Sequence, residues 1–142
     1  MIGADTTFLV QLEVKEAPEH FAAHKILWNQ IINPGVQLAL APQTLAEFVH
    51  IVSDPKRFQK PVPVSEAVKK ARFWWNAAEV QQMTPSDASV MQFLDWMEKH
   101  QLGRKRILDT KLAATFWTAG VTEIITSNPS DFTLLGFKAI VP

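Results

Sequence analysis

The 142-residue chain is 47% hydrophobic and 20% charged, with nine Phe and five Trp, enough apolar material for one core without a covalent staple. It has no cysteine, which excludes disulfide scaffolds, thiolate metal sites and thiol catalysis, and its fourteen basic residues balance fourteen acidic ones, so any nucleic-acid contact must be local. With no apolar run of ~20 residues and no leader pattern at the start, the expectation is one soluble cytoplasmic domain over residues 1–142, without membrane association.

Met1–Ala4 is a short apolar run closed by Asp5, and Thr6–Val14 follows with helical spacing at Leu9, Val10 and Val14. Pro18 breaks the pattern. Glu19–Ile32 then predicts a helix with Phe21, Ile26, Leu27 and Ile31 inward, stopped by Asn33-Pro34-Gly35. Val36–Leu40 predicts a second strand, and Pro42–Val52 a helix with Leu45, Phe48, Val49 and Val52 on one stripe. Asp54–Pro63, with three prolines and three basic residues, predicts an exposed loop. Ser65–Asn76 and Ser86–His100 predict two helices, each opened by a serine cap, with an edge-like strand at Val80–Met83 between them. Leu102–Leu108 leads into a helix from about Thr110 to Thr118, ended by Gly120, and Glu123–Thr126 and Phe137–Val141 predict the last strands. This alternation predicts an α/β fold with a mostly parallel sheet of four or five strands flanked by helices. In such sheets ligands collect beyond the carboxyl ends of the strands.

Four acids sit where that rule directs attention. Each has a plain structural reading: Asp5 and Asp109 as helix N-caps, Thr44-x-x-Glu47 as a capping box, Asp131 as a turn residue. Taken together, Asp5, Asp109 and Asp131 each lie just past a predicted strand or at the start of the following helix, positions that converge on one rim of a parallel sheet. Glu47 lies about 200° around its helix from Leu45, on a polar flank with His50. Carboxylates gathered on one rim repel one another unless a cation neutralises them. Mg²⁺ or Mn²⁺, which favour oxygen ligands, are the natural partners, and such ions serve in-line displacement at phosphate.

The same segments resemble a known family. Met1-Ile2-Gly3-Ala4-Asp5-Thr6-Thr7-Phe8-Leu9-Val10 resembles the opening strand and first acid of PIN-domain nucleases, and Thr44-Leu45-Ala46-Glu47-Phe48-Val49 is similar to the helix carrying their second acid. Gly103-Arg104-Lys105-Arg106-Ile107-Leu108-Asp109-Thr110-Lys111-Leu112-Ala113-Ala114 resembles the third-acid motif of the VapC-type toxins. Thr126-Ser127-Asn128-Pro129-Ser130-Asp131-Phe132 resembles the block with the fourth acid, and Ser53-Asp54-Pro55-Lys56-Arg57-Phe58 a loop common in one branch. The motifs run in order from residue 1 to about residue 140. One departure is Thr7, where many relatives carry Asn two residues after the first acid. Its hydroxyl reaches less far than an amide.

The resemblance implies a three-layer PIN-like fold and a Mg²⁺- or Mn²⁺-dependent endoribonuclease, the toxin of a toxin–antitoxin pair. Asp5, Glu47, Asp109 and Asp131 would then be the catalytic acids. Asp5 and Asp109 would be the principal metal ligands, joined by Glu47 and Asp131 directly or through water, with Thr6, Thr7, Ser127 and Asn128 as supporting donors. The implied partners are an RNA substrate, an antitoxin covering the site, and a second copy of the chain in a homodimer. Arg104-Lys105-Arg106 reads either as a solvated turn before a strand or as a phosphate contact, to which Lys56-Arg57 could add.

Two other readings compete: a non-catalytic interaction module whose acids only cap helices, and an aspartate-dependent phosphatase. The second fits less well, because haloacid-dehalogenase-like phosphatases need a second Asp where this chain has Thr7. His20 and His24 have zinc-compatible spacing but no third ligand, and read as surface residues. Trp74-Trp75, Trp96 and Trp117 read as packing or interface residues on helices, and two adjacent Trp cannot face the same core.

Overall fold

The computed structural model describes all 142 residues. In chain order the elements are β1 (Ile2–Ala4), α1 (Thr6–Glu13), α2 (His20–Ile26) with a π-helical continuation at Leu27–Ile32, β2 (Leu38–Leu40), α3 (Pro42–Val52), α4 (Val64–Trp75) and β3 (Val80–Gln82). They continue with α5 (Asp87–Lys99), a 3₁₀ turn at Arg104–Arg106, α6 (Ile107–Thr118), β4 (Glu123–Ile125), α7 (Pro129–Thr133) and β5 (Lys138–Ile140). No helix is long and apolar enough to cross a membrane.

The five strands form one sheet in the order β3-β2-β1-β4-β5, every pair parallel. The chain winds outward from β1 to β3, then returns to the other side of β1 with β4. The place where strand order reverses is therefore the β1/β4 pair, and both strands are buried in the middle of the sheet.

Alternation along the strands divides the core into two layers. Leu38, Leu40 and Ile125 face one layer with Phe8, Leu9 and Leu12 of α1, Ile31, Phe48 and Val52 of α3, and Ala71 and Trp74 of α4. Ala39 and Ile124 face the other with Trp96 of α5, Leu112, Ala113 and Phe116 of α6, and Phe132 and Phe137. This is the three-layer arrangement that the motifs imply. Gly3 belongs to the second face: a Cβ placed on it would lie 2.8 Å from the ring of Phe116, so the absent side chain lets α6 seat directly on β1.

Three sequence expectations need correction. Phe21 points outward, 81% exposed. α2 packs instead through the small, fully buried Ala23, flanked by His20 Nδ1 on the Gln11 carbonyl at 2.7 Å and His24 Nε2 on the Leu12 carbonyl at 2.9 Å. Those two polar anchors fix the helix's rotation, and Phe21 lies about 200° away from Ala23. The histidines lie at the surface as expected, His20 half-buried and His24 exposed, and also tie α2 to the end of α1. Ser65 does not cap α4, which begins at Val64 after an extended Pro63; Ser86 does cap α5, in a reciprocal pair with Ser89. The Arg104–Arg106 turn opens a helix and not a strand, so α6 starts three residues before Thr110.

Candidate active site

Asp5 follows β1 and occupies the N-cap of α1, where its Oδ1 accepts the Thr6 backbone N–H at 2.7 Å. The capping expectation is met, yet the carboxylate does more. Its Oδ2 accepts from the Thr126 hydroxyl at 2.7 Å and from the Thr7 hydroxyl at 3.4 Å. Thr126 follows β4 as Asp5 follows β1, and Ala4 pairs with Ile125, so parallel register alone sets these two side chains next to each other. Asp5 is 3% exposed. Burial raises its pKa, partly offset by the bonds from Thr126, Thr6 and Thr7, while the charge of Glu47 pushes it further up.

Glu47 is not part of a capping box. The N-cap of α3 is Ala41, with Pro42 in the first turn, and no side chain caps it. Thr44 is fully buried and its hydroxyl donates to the Ala4 carbonyl at 3.4 Å. Glu47 turns toward Asp5: its Oε2 accepts from the Thr6 hydroxyl at 2.7 Å and its Oε1 from Gln43 Nε2 at 3.0 Å. The same Gln43 nitrogen donates to the Leu108 carbonyl at 2.7 Å, pinning α3 to the first turn of α6. His50 stays exposed and takes no part.

Asp109 does not follow a strand and does not cap. It stands in the first turn of α6, half-buried. Its carboxyl is pushed up to about 7, first by burial, then by the charges of Asp5 and Asp131, a hydrogen bond with Asp131 and the charge of Glu47. The three other acids therefore all act on Asp109, which is what convergence on a rim requires.

Asp131 lies in the first turn of α7. Its Oδ1 is 3.3 Å from Arg106 Nη1, and its carbonyl accepts from Arg106 Nη2 at 3.2 Å. Arg106 is thereby drawn into the cluster, its Nε buried without a partner. The basic triplet divides: Arg104 and Lys105 are exposed, whereas Arg106 is a structural counter-ion to Asp131 and not a free phosphate contact. Of the expected supporting donors, Thr6 and Thr7 reach the acids directly. Ser127 contributes its backbone N–H to Thr7 Oγ1 at 3.4 Å, and its hydroxyl oxygen accepts from Gln11 Nε2 at 2.7 Å. Asn128 contributes a backbone N–H to Thr126 Oγ1 at 3.0 Å.

The sequence reading missed Thr126, Gln43 and Gln11. Thr126 could have been found, because it ends an apolar run as Asp5 does; the glutamines carry no comparable signal.

The donor set is oxygen only, three Asp and one Glu, which suits a hard divalent cation. As they stand Asp5 and Glu47 accept from hydroxyls and amides and Asp131 is paired with Arg106, and no three of the acids close on a single point. The fit is therefore one of chemistry and charge.

No family model matches the chain. Ribonuclease VapC24 of Mycobacterium tuberculosis is 26% identical over 147 residues, covering 99% of this chain and 94% of its own. Among solved structures, VapC20 of the same species, described as a sarcin–ricin loop cleaving toxin, has a TM-score of 0.75 at 16% identity and covers 100% of both chains. VapBC-1 of nontypeable Haemophilus influenzae has a TM-score of 0.68 at 17% identity, with 99% of this chain and 98% of that one covered. The resemblance carried by the four motifs therefore stands: the chain has the fold of the VapC-type PIN-domain toxins and is similar along its whole length to one of their number.

Proposed function

We propose that this protein is an endoribonuclease, the toxin of a toxin–antitoxin pair, and that Mg²⁺ or Mn²⁺ held by the acid cluster supports its chemistry. The observation that carries the reading is the state of Asp109: three neighbouring carboxylates and burial lift its pKa to about 7. A cluster so charged favours a cation, and its place at the strand-order reversal is where parallel sheets bind ligands. The ribonuclease name of the full-length relative agrees with it.

Asp5 and Asp109 would be the principal ligands, with Glu47 and Asp131 completing the rim. When bound, the ion supplies positive charge for the reacting phosphate and lowers the pKa of water. The chain's own residues do the rest. Thr6 holds Glu47, and Thr126 and Thr7 hold Asp5, so two carboxylates keep their orientation without an ion. Arg106 holds Asp131 from the outer side. Asp109 has no such hydroxyl or guanidinium donor, and it would hold a cation in its deprotonated form. Arg104 and Lys105, exposed at the lip of α6, would meet RNA phosphates.

The solved relative from Haemophilus influenzae is a VapBC structure. A small antitoxin protein is accordingly the proposed partner, and self-association through an exposed helical face the proposed assembly. Apolar side chains are available for both: Phe21, Trp28 and Phe73 on one side, Val90, Met91 and Leu94 of α5 on another.

Thermal melts and RNA cleavage with and without Mn²⁺, on the parent and on Asp5→Asn, test the reading. The parent should gain stability with Mn²⁺ and cleave RNA; Asp5→Asn should lose both, with its rate lower by at least about 10²-fold. Equal cleavage by the two proteins would reduce Asp5 to a helix cap and take this rim out of the chemistry; a parent that neither cleaves RNA nor gains stability with Mn²⁺ would leave the interaction-module reading in its place.

A further inference from the structure

A cavity of about 310 Å³ opens one helical turn beyond the acids. Its size lies at the lower end of the roughly 300–1,000 Å³ usual for ligand pockets. Thr7 stands between the two, bonded to Asp5 and also lining the cavity. Val10, Ile51 and Phe58 give the cavity apolar walls, while Gln11, Glu19 and Arg57 give it polar ones. Gln11 lies about 9 Å along α1 from Asp5, the span of a single nucleotide.

Gln11 is an unusual residue for its place. It is 6% exposed, and its Nε2 is spent on Ser127 Oγ. Its Oε1 is buried with no partner at all. An unpaired buried acceptor is costly, and a leucine would fill the same space without that cost. Glu19 also keeps an unspent carboxylate, since it stands at the N-cap of α2 without making a capping bond. Glu16, on the far wall, is held by the Gln59 backbone N–H at 3.0 Å. Two carboxylates against one guanidinium make the cavity a poor seat for a phosphate. They make it a good one for a flat ligand rich in N–H donors.

We propose that this cavity is a nucleobase subsite, holding the base adjacent to the phosphate that the acid cluster would take. Phe58 offers the stacking face, the Glu19 carboxylate accepts an N–H group from the base edge, and Gln11 accepts a second once its side chain turns the orphaned Oε1 from the interior into the cavity. Arg57, exposed at the rim beside Asp54, meets the phosphate that follows. Guanine fits best because its pairing edge presents two adjacent N–H donors. Adenine and cytosine present one amine each, and uracil a single imino group. The subsite rests on the RNA-cleaving reading for its biological sense, but its test does not depend on cleavage.

The test is an NMR titration of the full chain, stripped of divalent ions, with GMP, AMP, CMP, UMP and ribose 5-phosphate. GMP should shift the Gln11 side-chain amide and the Phe58 ring resonances most and bind most tightly, and UMP least. Ribose 5-phosphate should leave those resonances in place. Gln11→Met and Phe58→Leu should each weaken GMP binding about tenfold. The subsite is overturned if no nucleotide moves these resonances, if ribose 5-phosphate moves them equally, or if both variants keep the parent's GMP affinity. The two readings separate cleanly. A chain that binds GMP here but cleaves no RNA keeps the subsite and loses the nuclease; one that cleaves RNA without binding GMP here does the reverse.

Discussion

Asp109 is the residue at which the cluster's electrostatics can be measured. Burial and the neighbouring carboxylates push its carboxyl up to about 7 in the folded chain, against 3.8 for the unperturbed group. Between those values the folded state binds more protons than the unfolded one, so its contribution lowers stability as pH rises through that window. Below about pH 4 both states are protonated and the penalty vanishes; above about pH 7 it is complete. In denaturant titrations without divalent ions, Asp109→Asn should match the parent near pH 4 and become progressively more stable than it up to about pH 7. A difference that shrinks with rising pH would mean that Asp109 is stabilised by its neighbours rather than strained by them. Asp5, Asp109 and Asp131 drew attention in the sequence because each stands near the start of a helix, and Glu47 because it lies off the apolar stripe of α3. What holds them was less so: the bond from Thr126 to Asp5 spans 121 residues, and only strand register reveals it.

At the scale of elements, α6 depends on a residue it does not contain. Phe116 lies against the bare Cα of Gly3, and the same helix carries Asp109 at its start. Gly3→Ala would place a methyl group 2.8 Å from a fully buried ring, so the ring or the helix must move. The expected cost is about 1–3 kcal/mol in a denaturation midpoint. A second consequence should follow, weaker Mn²⁺ stabilisation, because α6 moves relative to β1 and Asp109 with it. Helix boundaries at α1, α3 and α5 were readable from apolar spacing and proline or serine signals. The rotation of α2 was not, since two histidines bonded to carbonyls outweigh the apolar pattern around Phe21. The start of α6 was misplaced for a related reason: Arg104–Arg106 looks like a solvated turn until Arg106 is seen to pair with Asp131.

For the whole molecule, formal charge is zero, so RNA attraction has to come from a few exposed cations near an acidic rim. With Arg106 committed to Asp131, Arg104 and Lys105 are the cations that remain from the triplet. Replacing both by Ala should reduce the magnitude of the log–log salt slope of RNA binding by about two, since each phosphate contact contributes roughly one. An unchanged slope would place the contact elsewhere. A mostly parallel sheet was implied by alternation and motif resemblance, whereas its strand order came only from the structure, and the pairing of β1 with β4 has a meaning in time as well as in space. Asp5 is made 121 residues before Thr126, so the strand that brings Thr126 to it comes long after it. During synthesis the chain can wind β1, β2 and β3 with their helices while its first acid still faces an unfilled edge. Contacts so distant in sequence form late. A chain halted before residue 121 would hold Asp5 and Glu47 without Asp131, Thr126 or the closing strand pair. The order of the strands thus acts as a delay, keeping the acidic rim incomplete until β4 and α7 have been made.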